Sequence, residues 1–311
     1  MTIFEETKGV MKELLDLKNI EDYNKRVGYK ALHPLISVID LSKANYQDGA
    51  RALALRFGFY AIFLKQGADC TLKYGRNNYD YEEGTLVFIG PGQLVDISSD
   101  GQDYQPSGTA ILFHPDLFLG TPMAQKIKEY SFFSYEVFEA LHLSDRERQV
   151  ILDCTQKIEF ELQQGIDKHS KHLIISNIEL FLGYCNRFYD RQFITRDTIN
   201  QGVLAKFDKS LNDYFKSDRP LTLGTPTVGY FADQLHLSPN YFGDLVKKET
   251  GKSALDYIQT KLIDEAKERV FNYNKSVSEI AYELGFKYPQ HFSRLFKQKV
   301  GHSPNEFRQM N

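Results

Sequence analysis

The sequence predicts an α+β multidomain chain: an N-terminal β-rich region closed as a small barrel, a helical segment after it, and an all-α C-terminal domain built on two helix-turn-helix motifs. Three observations predict this. Short apolar runs separated by turn-forming residues fill positions 32–113. Apolar stripes at helical spacing follow over positions 144–189. One pattern then occurs twice near the C-terminus, about fifty positions apart. The expected divisions are 1–28 as an arm or helix, 29–120 as the barrel, 121–200 as a helical segment with a face available for dimerisation, and 203–311 as the C-terminal domain.

The leading segment carries Val10, Met11, Leu14, Leu15 and Leu17 at helical spacing, as an arm or a helix capping the barrel would. Strands are predicted at 35–41, 51–64, 71–74, 85–89, 94–97 and 110–113. Between them lie Gly67, Gly75-Arg76-Asn77-Asn78, Glu82-Glu83-Gly84, Gly90-Pro91-Gly92 and Pro106-Ser107-Gly108, which supply turn geometry. Strand and turn alternating without a helix is the pattern of a small barrel or jelly roll. Phe57, Phe59, Tyr60, Phe63, Tyr74, Tyr79, Tyr81 and Phe88, with Arg56, Lys65, Lys73 and Arg76 nearby, either wall a small-molecule effector site or fill a core. In one continuous strand Arg56 would share a face with Ala54, Gly58 and Tyr60. The identity of an effector is not legible.

Ser144 and Glu147 form a capping box that opens a helix to about residue 164, with Val150, Ile151, Cys154, Ile158 and Leu162 along one side. A second helix is expected over 172–189. Leu173, Ile174, Ile178, Phe181, Leu182, Cys185, Phe188 and Tyr189 give it an apolar surface wide enough to cover a sheet and to meet a partner. Polar or turn-rich stretches at 190–198 and 216–227 read as joints, and 203–215 as the first helix of the last domain.

The repeat matches Pro239, Phe242, Leu245, Lys247, Gly251 and Ser253 with Pro289, Phe292, Leu295, Lys297, Gly301 and Ser303. Upstream, Val228, Ala232, Leu235 and Leu237 match Val277, Ala281, Leu284 and Phe286 at an offset of forty-nine, so one turn is a residue longer. Ser276 and Glu279 cap a helix whose Ile280, Ala281 and Leu284 share a face, and Gly285 can end it in the left-handed region. Pro289 suits the first position of the next helix, which would bury Phe292, Leu295 and Phe296. Facing outward are Gln290, Ser293, Arg294 and Lys297. The first unit has Ser238 as cap, buries Phe242, Leu245 and Val246, and turns out Asn240, Gly243, Asp244 and Lys247.

Helix, tight turn, helix is the form of a DNA reader. Glutamine pairs with adenine, arginine with guanine O6 and N7, and serine and lysine reach phosphates. Aspartate accepts from cytosine N4 but is repelled by the backbone, and glycine reads nothing. The second unit is therefore expected to carry more sequence information than the first.

From about Thr225 to Arg308 the chain resembles the DNA-binding domain of AraC/XylS-type transcriptional regulators, through Phe292-Ser293-Arg294-Leu295-Phe296-Lys297, Gly301-His302-Ser303-Pro304 and Phe307-Arg308. The resemblance implies seven helices, with a long central helix at 254–271 holding both helix-turn-helix units on adjacent major-groove segments. Its apolar stripe would be Leu255, Ile258, Leu262, Ala266 and Val270. It also implies double-stranded promoter DNA and RNA polymerase as partners, transcriptional activation, and a cupin-like sensor domain upstream. The run Gly84-Thr85-Leu86-Val87-Phe88-Ile89-Gly90-Pro91-Gly92 resembles the central strand and turn of that domain. Paired helices after such a sensor imply a homodimer, unless they only cover a sheet. Gly243-Asp244 departs from the family pattern, in which a small polar residue and an arginine are common.

Cupin enzymes hold metal with clustered histidines and a glutamate. Here His33 and His114 lack partners at ligand spacing, Glu82 and Glu83 fall in a turn, and His169 and His172 suit a helix surface. With no nucleophile elbow, phosphate-binding glycine loop or zinc-protease helix, the expectation is no catalytic residue, no metal and no cofactor. The alternatives are a ligand-independent regulator whose barrel is only a protein-contact module, and a DNA-tethered cupin metalloenzyme. The 311 residues carry a net charge of −3, distributed as about +3 from Leu204 onward and about −6 before it. Residues 286–311 hold five basic side chains and one acidic. Three dispersed cysteines, Cys70, Cys154 and Cys185, the lack of a signal-peptide pattern and the lack of a bilayer-spanning run lead to an expected cytoplasmic protein without membrane contact.

Overall fold

A computed structural model describes residues 3–5, 12–45, 53–65, 71–74, 77–80, 84–97, 107–136, 139–164, 167–195 and 197–310. The chain forms two compact units, Met1–Ile194 and Thr195–Asn311.

In the first unit the order is β1 (Ile3–Glu5), β2 (Lys12–Leu17), α1 (Ile20–Arg26), β3 (Ile36–Asp40), β4 (Leu53–Phe57), β5 (Tyr60–Lys65), β6 (Thr71–Tyr74), β7 (Asn77–Asp80), β8 (Thr85–Ile89), β9 (Leu94–Ile97), β10 (Gly108–Phe113), α2 (Met123–Lys126), β11 (Leu141–His142), α3 (Asp145–Gln163) and α4 (Ser170–Thr195). The strands make a sheet β1-β2-β4-β9, a sheet β11-β8-β5-β10-β3 and a β6-β7 hairpin. All pairings are antiparallel except β2 with β4. The two larger sheets share a core, to which the first contributes Leu17, Leu55, Phe57 and Val95 and the second Ile39, Ala61, Val87, Ile89, Ala110 and Leu112. Among the described residues the strands do not close into the expected barrel.

Two other expectations are corrected. The leading segment supplies a strand where an arm or helix was expected. Leu14 and Leu17 are buried as β2 pairs in parallel with β4, and tertiary pairing overrides a short local periodicity. Asn19 and Asp22 then form a capping box that starts α1. Val10 and Met11 lie outside the described residues. The single strand expected over 51–64 is two strands in different sheets. At its midpoint the Gly58 N–H donates to the Leu17 carbonyl at 2.8 Å, and a Cβ there would stand 2.7 Å from the Lys18 oxygen. Only glycine allows that approach. Arg56 and Tyr60 consequently share no face: Arg56 pairs with Asp16 at 3.4 Å, and Tyr60 stacks on Phe113.

The aromatic residues mostly fill the core. Phe57, Phe59 and Phe88 are buried, and Phe88 meets Phe132 at 4.5 Å between ring centroids. The side chains of Lys73, Tyr74 and Tyr79, together with Arg76 and Tyr81, lie outside the described residues.

Ser144 and Glu147 form the expected capping box at the start of α3. Arg191 of α4 clasps Glu147 with bonds of 3.0 and 2.8 Å and donates to the His142 carbonyl at 2.7 Å. Partial burial alone would raise the Glu147 pKa; the Ser144 amide and Arg191 outweigh it and hold the carboxyl below its ordinary value. Cys154 and Cys185 are both buried, which pushes their thiols up. The joint expected at 190–198 is largely helix, because Phe193 is buried and Gln192 bonds to the strand edge, accepting from the His142 amide and donating to the Ala140 carbonyl.

The second unit consists of α5 (Asp197–Lys216), α6 (Arg219–Leu223), α7 (Val228–Gln234), α8 (Pro239–Thr250), α9 (Ala254–Val270), α10 (Val277–Glu283), α11 (Pro289–Val300) and α12 (Pro304–Gln309). The first helix starts earlier than expected, and α6 adds a short turn within the second joint. In α9, Ile258, Leu262, Ala266 and Val270 are buried, but Leu255 is 52% exposed. Ser253 caps α9 and Ala254 takes the inward position, which rotates Leu255 to the edge of the stripe. Ile263 completes the buried face. Tyr257 donates to Asp208 of α5 at 2.7 Å, and burial together with that bond raises its pKa to about 12.

Candidate nucleic-acid interface

Two helix pairs of one construction present the candidate site. In the later pair, Ser276 and Glu279 cap α10 reciprocally. The helix ends with the Phe286 amide donating to the Ala281 carbonyl and the Gly285 amide to that of Tyr282, each at 2.9 Å. This is a Schellman end, with Gly285 at φ +89°. In the earlier pair, Thr227 caps α7. The Leu237 amide donates to Ala232 at 3.0 Å and the His236 amide to Asp233 at 3.2 Å, closing the same motif. There, however, the left-handed position is occupied by His236, at φ +57°, a conformation that costs an L-residue about 1–2 kcal/mol. Four residues separate α7 from α8 and five separate α10 from α11.

Gly285 is needed for a second reason. A Cβ there would lie 2.4 Å from the Gly224 carbonyl group, and the Gly224 oxygen itself accepts from the Tyr214 hydroxyl at 2.9 Å. The turn before α11 thus rests directly on the backbone that follows α6.

The Ser238 hydroxyl caps α8, accepting from the Tyr241 amide at 3.1 Å. Tyr241, Phe242, Leu245 and Val246 hold α8 against the core. In α11, Phe292 and Phe296 are fully buried, whereas Leu295, expected inside, is half-buried at the edge of the stripe. Outward lie Asn240 and Lys247, exposed, with Gly243 and Asp244 half-buried. On α11, Gln290, Arg294 and Lys297 are exposed and Ser293 is half-buried. Each set has the spacing i, i+3, i+4, i+7, so each occupies one helix face.

Of the five basic residues over 286–311, two serve the interior of this unit. Lys299 pairs with Asp256 of α9. Arg308 donates to the carbonyls of Val270 at 2.6 Å, Lys275 at 3.0 Å and Asn272 at 3.4 Å, closing the end of α9 and the loop into α10. Lys287, Arg294 and Lys297 remain for the surface. Among the described residues, neither Gln290 nor Arg294 makes a hydrogen bond or ion pair within the protein. Lys287 lies 5.8 Å from the centroid of the Tyr288 ring, and Tyr288 meets His291 at 5.5 Å.

Sequence reasoning did not see the part played by Arg308, since its acceptors lie 33 to 38 positions earlier. Nor did it see the contact of Gly285 with Gly224. The described residues include no cluster of three His, Cys, Asp or Glu side chains able to hold a metal. No helix among them is long and apolar enough to cross a membrane.

A short helix, a Schellman turn and a second helix held by aromatic residues with a polar and basic face outward define a helix-turn-helix protein. Residues 231–310 match the family described as Helix-turn-helix domain. Over 263 residues the chain is 26% identical to the uncharacterized HTH-type transcriptional regulator YfiF of Bacillus subtilis (strain 168), covering 82% of this chain and 78% of that one. It is 40% identical over 126 residues to the uncharacterized transcriptional regulatory protein YesN of the same organism, covering 39% of this chain and 32% of YesN. It is 24% identical over 254 residues to the HTH-type transcriptional activator RhaS of Enterobacter sp. (strain 638), covering 76% of this chain and 88% of RhaS. The C-terminal domain is an AraC-type helix-turn-helix domain, and the relatives that match along most of the chain are HTH-type transcriptional regulators.

Proposed function

We propose that the protein is a sequence-specific regulator of transcription, acting as an activator, that lays α8 and α11 in successive major-groove segments of promoter DNA as two helix-turn-helix units. The observation that supports this best is the recurrence of one helix pair with its outward set at matching positions, Asn240, Gly243, Asp244 and Lys247 against Gln290, Ser293, Arg294 and Lys297. Arg294 pairs with guanine O6 and N7 and Gln290 with adenine, while Asn240, Ser293, Lys247 and Lys297 reach the DNA backbone. Between Asn240 and Lys247, Gly243 allows close backbone approach and Asp244 stands beside it on the same face.

The activator reading draws on RhaS, whose name is that of an activator. It places RNA polymerase beside the bound protein. The first unit is read as a cupin-like sensing or dimerisation domain of a cytoplasmic protein. On α4, an open groove of about 540 Å³ lined by Ser176, Glu179, Leu180, Gly183, Tyr184 and Arg187 favours pairing with a second copy. A homodimer brings a second reading domain to the same promoter and raises effective concentration. A small-molecule effector would act through the first unit.

Binding of the full chain to labelled duplexes across a salt series tests this reading. Affinity is expected to fall steeply with salt, since phosphate contacts release counterions. Arg294→Ala is expected to cost about 1–3 kcal/mol at one base and to flatten discrimination there. Equal affinity for all duplexes at every salt concentration would overturn it.

A further inference from the structure

Within the DNA-binding reading, on which this rests, we infer that base discrimination belongs to α11 alone, read by Gln290 and Arg294, while α8 is an anchor that holds DNA without choosing sequence. The two faces differ at their centres. Position 243 has no side chain, and a Cβ built there would meet nothing within 4 Å. The protein interior therefore does not require glycine at this point. Its effect is outward, removing a reading group from the middle of the face. The next residue, Asp244, brings a negative charge towards a polyanion and has no donor for the guanine edge. What remains on α8 is Asn240 and Lys247, one at each end.

The corresponding centre of α11 is Ser293 and Arg294, with Gln290 one turn earlier. Both long side chains are exposed and, among the described residues, engaged by no hydrogen bond or ion pair, so each can present its paired hydrogen-bonding atoms to a base. The longer turn places Lys287 and Tyr288 ahead of α11, with Tyr288 against His291. This cluster gives α11 a cation and two rings beside its N-terminal turn. Nothing comparable precedes α8, whose tighter turn is closed by His236.

Selection of bound duplexes from a randomised pool by the full chain, run beside Arg294→Ala, Gln290→Ala, Asn240→Ala, Gly243→Ala and Asp244→Asn, tests the assignment. The wild type is expected to enrich one block, with at least about tenfold preference at its best bases. Arg294→Ala and Gln290→Ala should each erase preference at a position in that block. Asn240→Ala, Gly243→Ala and Asp244→Asn should leave the selected sequence unchanged; Asp244→Asn, which keeps the shape and removes the charge, should tighten binding to all duplexes alike. Unaltered circular dichroism would show that each variant folds. Two equally specified blocks about one helical turn apart, or a changed base preference in any of the α8 variants, would overturn the assignment while leaving the DNA-binding reading intact. No enrichment by the wild type would defeat that reading itself.

Discussion

Two residues at matching positions, His236 and Gly285, do the same backbone work at different cost. Both sit in the left-handed region at the end of a short helix, but the histidine carries a Cβ against its own carbonyl. His236→Gly is expected to stabilise the C-terminal unit by about 0.5–1 kcal/mol, the relieved strain being partly offset by the greater freedom of glycine when unfolded. Gly285→Ala is expected to destabilise it by at least about 2 kcal/mol, because conformational strain adds to collision with the Gly224 backbone. Urea denaturation of each variant measures both effects, and shifts of the same sign would refute the account. At this scale the sequence was partly legible. Gly285 could be read as a helix end because glycine after an apolar stripe is a local signal, whereas His236 could not, since nothing near it announces a positive φ. The outward residues of α8 and α11 could be placed from the 3.6 periodicity because the stripes behind them are strongly aromatic. Leu255 was misplaced, and Leu295 packs against the core only in part, because each lies at a stripe edge, where about 100° of rotation decides between core and solvent.

Elements in the second unit are tied at their ends by polar groups. Arg308 reaches back from α12 to three carbonyls around the end of α9. Arg308→Ala is expected to cost about 1.5–3 kcal/mol, the scale of hydrogen bonds from a charged donor, and Arg308→Lys should recover only part of it, since an ammonium lacks the planar fork. Thermal unfolding compares them; an unchanged midpoint in the alanine variant would remove Arg308 from the framework. The caps also make stability depend on acid. The Ser276 hydroxyl and amide hold the Glu279 carboxyl below its ordinary pKa, the Ser303 amide and hydroxyl do so for Glu306, and Lys299 for Asp256. A carboxyl depressed on folding adds stability that is fully present above its unfolded pKa, about 4 for these groups, and is lost as pH falls through the lower folded value. Helical signal and melting point should therefore hold from neutral pH to about 5 and decline below about 4. A Glu279→Gln, Glu306→Gln double variant should lose less on acidification, and equal acid sensitivity would show that these caps do not contribute. The capping boxes of Ser144 with Glu147 and Ser276 with Glu279 were legible because both partners lie within four residues. The strand partners of β2 and the division of the 51–64 stretch were not, since both depend on a parallel pairing across about forty residues of chain.

For the whole molecule, the surface that bears on self-association is the groove on α4, where Leu180 is 44% exposed between Ser176 and Gly183. If a second copy fills it, Leu180→Glu should weaken self-association by about tenfold or more, since a carboxylate would be desolvated at the centre of the contact. Sedimentation velocity over a range of protein concentrations measures this. A wild type that stays monomeric, or a variant that dimerises equally well, would exclude the groove as the contact. The change from strand and turn to helical periodicity near residue 144 lies inside the first unit, and the boundary at residues 194 and 195 falls where one helix ends and the next begins. The sheet arrangement stayed hidden, because turn residues mark where strands end and not which strands pair.

The seat of Gly285 on Gly224 has a consequence best put in genetic terms. A substitution that loosened this joint by a small amount would be a natural conditional allele, silent at low temperature and expressed on warming. Its phenotype would differ from that of a null, because α8 and its own caps would be untouched. If α11 alone chooses sequence, such a mutant, still present at normal level, would occupy chromosomal DNA with diminished choice of address, and in a cell that also carries the wild-type copy it would act as a competitor and so behave as dominant.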